Sequence, residues 1–412
     1  MRGLLREFRS FDRPIQLLQI NQAGINLGFY MLMPYLAQHL STGAGLAAWT
    51  IGLVLGLRNL SQQGMFLIGG TLADRLGPKP MIMLGCALRT VGFALFGLTT
   101  SLPWLIVAAA VTGFAGALFN PAARACLAYE AGERKVAAFA VFNVFYQGGI
   151  LVGPLVGLLL LNAGFSVVCL AAAAIFAVLT VLQGLWLPSR RGPRAEHPPV
   201  LTDWRRAFGD RAFVAFAAAM IASSALSYQM YLALPLEVNR LGGGEAGVMA
   251  LYALSALLGI AGQVRLTAWC SARWSRGQAI SRGLALMGLA FVPPAATAHL
   301  ALPAGWALAP LVACTLLLTL GTLMAFPFEM ATIADMAGDR LIGTYYGLYN
   351  LLSGLGVLAG NLLAGALVDT ARQAGTAALP WMALTVAGLA SFAAVSHLTR
   401  SGRLRTTAQV AG

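Results

Sequence analysis

The sequence predicts an all-α membrane protein, with 12 transmembrane helices arranged in two pseudo-symmetric six-helix bundles. Three observations lead there. Of the 412 residues 58% are hydrophobic and only 10% charged, with a mean hydropathy of +0.76, whereas soluble chains carry about 25% charged residues. Apolar runs follow one another along the chain, each near the roughly 20 residues that a spanning helix needs. The two halves also repeat one another's glycines and prolines in register.

The twelve runs fall near 15–40, 49–73, 80–99, 103–128, 136–161, 165–187, 211–236, 246–271, 278–298, 304–334, 342–368 and 379–399. In hydrocarbon every backbone polar group must be satisfied within the segment, so runs of this length are helices rather than open strands. The alternation of a membrane barrel is missing. A basic leader with Arg2, Arg6, Arg9 and Arg13 precedes the first run. That run exceeds a signal-peptide core of about 7–15 residues and holds Asn21, Gln22 and Asn26, so it reads as a retained span. Residues 188–209, rich in arginine and proline and containing Trp204-Arg205, read as a surface linker. The expected division is therefore 1–187, linker 188–209, and 210–412 with a short basic tail.

Charge decides orientation and excludes several partners. The net charge is +13, but the basic residues sit in short loops rather than on a patch for nucleic acid. Arg75 and Lys79, Arg134 and Lys135, the linker, Arg273 and Arg276, Arg340 and the tail all fall on one side. The opposite loops offer Arg240 and Arg372. By the positive-inside rule both termini are expected in the cytoplasm. The five cysteines lie in five different apolar runs, which reads as buried thiols rather than a disulfide framework. The four histidines form no ligand pair, so no metal and no cofactor is expected.

The internal repeat is specific. Residues 121–134, ending Gly132-Glu133-Arg134, match 327–340, ending Gly338-Asp339-Arg340, at an offset of 206. After a one-residue slip Asn143, Gly149 and Gly153 match Asn350, Gly356 and Gly360, and Pro34 aligns with Pro235. Repeats of this kind let a transporter place its site at the midplane and rock two bundles about it.

Two motifs carry the mechanism. Between the second and third runs lies Gly70-Thr71-Leu72-Ala73-Asp74-Arg75-Leu76-Gly77-Pro78-Lys79, a charged turn in which Gly77 and Pro78 break the helix. It closely resembles motif A of the major facilitator superfamily. The fifth run holds Gly149-Ile150-Leu151-Val152-Gly153-Pro154-Leu155-Val156-Gly157. Glycines four apart allow close helix approach, and Pro154 removes a backbone bond. This stretch resembles motif C of the superfamily's drug:proton antiporters. Residues 51–80, Arg89-Thr90-Val91-Gly92-Phe93 and Phe119-Asn120-Pro121 resemble the MdtH-type bacterial multidrug efflux proteins. In the C-terminal half the likeness rests on the glycines and residues 345–369. The chain departs from these families in three places. Asn21 and Asn120 stand where an aspartate can occur; Ala108 and Ala109 lie near the place of the motif B arginine; the second copy of motif A is reduced to Ala272-Arg273-Trp274-Ser275.

The resemblance implies gating roles for Gly70, Asp74, Arg75, Gly77 and Lys79. Asp74 is expected to contact Gly343-Thr344 at the start of the eleventh helix, and Arg75 to contact Glu130 or Glu133. A charge in the bilayer is costly, so Arg58 and Arg89 are expected in a polar substrate cavity with Asn21, Asn26, Gln62 and Asn120. The cavity candidates are completed by Tyr30, Phe119, Tyr228, Tyr231 and Phe326, with Met31, Met33 and Met230 as soft filler. Glu329, Asp335 and Glu237 are the proton-coupling candidates, because a carboxylate in low dielectric can exchange a proton near neutrality. Arg124 and Glu329 form the expected cytoplasmic gate pair. The expected function is proton-coupled export of amphipathic small molecules, drugs included, by a monomer in contact with lipid. The alternative is a carrier of an anionic or zwitterionic metabolite. An enzyme finds no nucleophile–base pair, metal cluster or phosphate loop, and a sensor would not need two related bundles.

Overall fold

A computed structural model describes residues 2–42, 48–189, 199–300, 303–338 and 341–401. Its helices are α1 (Arg2–Arg9), α2 (Arg13–Thr42), α3 (Ala48–Gly64), α4 (Phe66–Leu76), α5 (Pro78–Leu98), α6 (Leu102–Ala131), α7 (Lys135–Leu161), α8 (Phe165–Trp186) and α9 (Val200–Gly209). They continue as α10 (Arg211–Ser227), α11 (Ala233–Arg240), α12 (Gly244–Arg273), α13 (Arg276–Leu289), α14 (Val292–Thr297), α15 (Ala309–Ala337), α16 (Ile342–Ala374) and α17 (Leu379–Arg400). Every apolar run is occupied by helix, and no strand occurs among the described residues. Eight helical stretches among these residues are long and apolar enough to cross a bilayer, one of them running through both α6 and α7.

Three runs are broken. The second divides between α3 and α4 at Met65, the seventh between α10 and α11 around the short turn Tyr228–Met230, and the ninth between α13 and α14 ahead of Pro293 and Pro294. Helix starts use familiar chemistry. Proline stands in the first two positions of α5, α6 and α17, where its missing N–H costs nothing. Asp210 caps α10 through the Ala212 and Phe213 amides at 3.1 and 3.0 Å, and Ser275 with Gln278 forms a capping box on α13.

Two helices lie outside the predicted runs. The leader forms α1, which is tied to the start of α7: Arg134 donates to Glu7 at 2.8 Å and lies over the Phe11 ring at 4.1 Å. Part of the linker forms α9, whose Ala207 is fully buried and whose Trp204 turns inward.

The chain divides into two compact units. One comprises Arg2–Gly209 with Ile333–Leu351, the other Asp210–Thr332 with the residues from Leu352 onward. The stretch 333–351 thus clusters with the N-terminal helices, although in sequence it belongs to the second half. Each unit repeats the same packing devices. In the first, Gly149 and Gly153 of α7 press against α2 at Asn26 and Tyr30; in the second, their repeat partners Gly356 and Gly360 of α16 press against α10 at Ile221 and Ala225. Gly85 seats α5 on α6, and Gly283 seats α13 on α15 in the same way. The outward faces of α7 and α8 are apolar and exposed at Leu155, Leu158, Leu159, Val178, Val181 and Leu185. A surface of that kind suits lipid and not water. All five cysteines are free and buried.

Candidate functional site

The site at motif A is built by one carboxylate capping a distant helix. The residue before α16 is Leu341, whose carbonyl accepts the first helical bond from Tyr345. A leucine has no oxygen to satisfy the free N–H groups of the first turn. Asp74, at the end of α4, supplies it. Its Oδ1 accepts from the Gly343 amide at 2.7 Å, and its Oδ2 from the Thr344 amide and hydroxyl, each at 2.6 Å. Anionic acceptors make such bonds stronger, and the positive end of the helix dipole adds to them. The expected Asp74 contact with Gly343-Thr344 is therefore present.

Glycine makes this approach possible. A methyl group at Gly70 would lie 2.0 Å from the Gly343 carbonyl oxygen, and one at Gly347 would lie 2.5 Å from the Phe66 oxygen. Two helix backbones touch here, and no rotamer change could accommodate a side chain. Gly77 takes φ 87°, the region glycine tolerates, and turns the chain into α5. Lys79 then reaches across the unit to donate to the Gly184 carbonyl at 2.9 Å, one of the unpaired acceptors at the C-terminal end of α8.

Arg75 makes an ion pair at 2.7 Å with Asp203 of α9, a residue to which the sequence reading gave no role. Beside it the Trp204 indole N–H donates to the Thr71 hydroxyl at 2.7 Å. The linker helix is therefore fastened to motif A by two side-chain bonds. A signal existed in the sequence: Val200, Trp204, Ala207 and Phe208 recur at helical spacing within an otherwise polar segment. Further contacts gather at this end of the first unit. Lys135 pairs with Asp335 at 2.5 Å, and Arg124 donates to the Asn350 side-chain oxygen at 2.7 Å. Within its unit Arg124 thus meets a neutral amide, and Glu329, the carboxylate expected as its gate partner, belongs to the other unit.

Motif C serves as a seam between α7 and α2. A methyl group at Gly157 would lie 2.2 Å from the Met31 carbonyl oxygen, and the Tyr35 hydroxyl donates to the Pro154 carbonyl at 2.7 Å.

The cavity candidates separate into groups. Asn21 is fully buried and accepts from the Gln183 side chain of α8. It fills a helix–helix contact, where a buried amide needs a hydrogen-bond partner, and being fully buried it does not line an open surface. Asn26 is buried against Gly149, and its side chain bonds the Gln22 carbonyl at 2.9 Å. Met31 and Phe119 are also core residues. Tyr30, Arg58, Gln62 and Asn120 are half-buried on the first unit. Arg58 donates to Gln62 and lies 4.5 Å from the Phe29 ring centroid. Arg89 is buried behind them. In the second unit Tyr228 and Tyr231 are exposed, their rings 5.7 Å apart, with Tyr252 5.6 Å beyond Tyr231. Phe326 is half-buried there and Glu329 is buried. Glu237 is held by Arg240, whose Nε donates to it at 2.8 Å.

Comparison with known proteins decides the family. The model of the Major Facilitator Superfamily matches residues 20–361. The chain belongs to that superfamily. It is 48% identical over 400 residues to an uncharacterized MFS-type transporter of Mycobacterium tuberculosis, covering 95% of this chain and 94% of that protein. It is 32% identical over 369 residues to the multidrug resistance protein MdtH of Yersinia pestis, covering 89% and 90% of the two chains. Among solved structures, the human organic anion transporter MFSD10 superposes with a TM-score of 0.71 at 16% identity, over 93% of this chain and 99% of that one. The last likeness concerns the fold alone. The protein is thus a multi-pass secondary transporter with the superfamily's all-helical fold, and its family is one of carriers and not of enzymes.

Proposed function

We propose that this transporter exports amphipathic small molecules, drugs among them, in exchange for protons, working by alternating access as a monomer in the bacterial inner membrane with both termini in the cytoplasm. The observation that carries the reading is the Asp74 carboxylate on the first turn of α16, with the glycine backbones of α4 and α16 in contact beneath it. A carboxylate holding the start of a helix 269 residues away in sequence is a contact that can be made and broken as a unit. In our reading it holds the cytoplasmic end closed in one half of the cycle and is released in the other. Motif C and the 32% identity to MdtH support export and a drug-like substrate.

For the proton we favour Glu329. It is 7% exposed and lies further inside the span formed by α15 than Asp335, which stands two residues from the end of that helix. The test is reconstitution of the purified chain into liposomes with a panel of cationic, neutral and anionic drugs, measuring flux with and without an imposed pH gradient. Accumulation that follows the gradient is expected. Flux indifferent to it removes the antiport and leaves a carrier.

A further inference from the structure

The helical segments that carry Arg58 and Arg89 hold no acid in their own sequence. Between residues 13 and 73, 75 and 129, and 134 and 195 the chain contains no aspartate or glutamate. Yet Arg58 and Arg89 stand in the middle of the second and third spans. Arg89 is only 5% exposed. Its guanidinium lies 5.7, 5.9 and 5.6 Å from the ring centroids of Phe29, Phe119 and Phe176, and its Nε is buried without a hydrogen-bond partner. Ring faces attract a cation but do not accept N–H bonds as a carboxylate would. An ionised group in low dielectric calls for a partner of opposite charge.

The arrangement points in one direction. A methyl group at Gly116 would meet Gln62 Cδ at 3.0 Å and Arg89 Nη2 at 3.2 Å, so Arg89 and the amide that accepts from Arg58 both border the space beside this glycine. Both guanidinium groups share the Phe29 ring. The half-buried side of this cluster carries Phe29, Tyr30, Arg58 and Gln62, with the rings of Phe29 and Tyr30 edge to face at 5.1 Å.

We propose that Arg89 and Arg58, with Gln62, form a subsite for the anionic head of an amphipathic organic anion, a carboxylate or similar monoanion, whose apolar body lies along Phe29 and Tyr30. Arg89 supplies the buried charge, held in place by its aromatic box, and Arg58 closes on the same head from the more open side. The substrate supplies the opposite charge that the ring neighbours of Arg89 do not offer. For the purpose of the site this rests on the export reading above; for its binding chemistry it does not.

Binding can be read without transport. The full chain in phosphatidylcholine nanodiscs, in a chloride-free HEPES–Tris buffer without added carboxylate, is titrated calorimetrically with 2-naphthylacetate and with the neutral 2-naphthylacetamide. The carboxylate is expected to bind about tenfold tighter or more, the difference a charge-assisted bidentate contact confers. Arg89→Gln is expected to reduce the carboxylate to the level of the amide, Arg89→Lys to restore part of the preference, and Arg58→Gln to weaken it severalfold. Equal affinity of the two probes for the unmodified protein overturns the proposal, as does a preference that survives both glutamine variants. The comparison of probes needs no variant, so it decides the matter even if Arg89→Gln fails to fold. Displacement of the probe by low millimolar chloride, or by phosphatidylglycerol added to the disc, assigns the site to an inorganic ion or a lipid headgroup and overturns the amphipathic ligand. Equal probe binding with pH-driven drug flux intact removes the subsite alone. A clear carboxylate preference without any pH-driven flux removes the export reading alone.

Discussion

Replacing Asp74 by asparagine tests the cap on α16 with the least change in shape. The aspartate accepts three bonds, two through Oδ2 from Thr344 and one through Oδ1 from Gly343. Asparagine keeps one carbonyl oxygen and turns an NH2 group toward the remaining donors. It therefore loses at least one bond to a charged acceptor, worth about 1.5–3 kcal/mol, and the attraction of the helix dipole for the charge. Since 1.4 kcal/mol is about a factor of ten, the released population should rise roughly ten- to hundredfold. Ala73 reports it directly. That residue is 2% exposed and lies beside Gly343, so a cysteine placed there reacts with a maleimide only when α4 and α16 part. The native thiols are all buried and contribute a slow background. Alkylation of Ala73→Cys should accelerate by that factor in the Asp74→Asn background, with expression unchanged and transport lost. Thr344→Val removes one of the three bonds and should give a smaller acceleration. Unchanged alkylation in Asp74→Asn, or transport at the normal rate, would refute the reasoning.

Glycine packing gives a sharper contrast. Gly157→Ala should destabilise the protein by about 1–3 kcal/mol, as overpacking does, since its methyl would lie 2.2 Å from the Met31 oxygen. Gly148→Ala, with nothing within 4 Å, should leave the melting temperature unchanged, and equal effects would be evidence against the seam. Asp203→Asn should loosen α9 and speed tryptic cleavage after the exposed Arg205 and Arg206; cleavage at the parent rate would show that the helix is held by other contacts. Glu329→Gln should leave downhill drug flux in liposomes while abolishing its response to a pH gradient. A retained response moves the proton to another acid.

Much of this protein can be read along the chain because the bilayer is a demanding solvent. It requires long apolar segments that satisfy their own backbone, and so the helical runs, the charged turn at Asp74 and the glycine seam at Gly149, Gly153 and Gly157 all stand out in one dimension. Residues whose role depends on a partner far away in sequence were harder to place. Asn21 and Gln62 are both amides in apolar runs, yet one faces Gln183 in a closed core and the other faces Arg58 at a half-open edge. Hydropathy cannot separate them. Asp203 and Trp204 were hidden for another reason: their segment is polar, and only the docking against Arg75 and Thr71 gives its helical spacing a meaning.

The placement of the apolar helices, the internal repeat and the family motifs were set by the sequence alone, since helix length and glycine spacing are local properties that hydrocarbon enforces. The tertiary structure decided which helix end Asp74 caps, that 333–351 joins the N-terminal helices, that α9 is fastened to motif A, and that Arg89 is boxed by three rings. Those depend on the directions in which side chains from distant turns meet, and no periodicity along one helix records them.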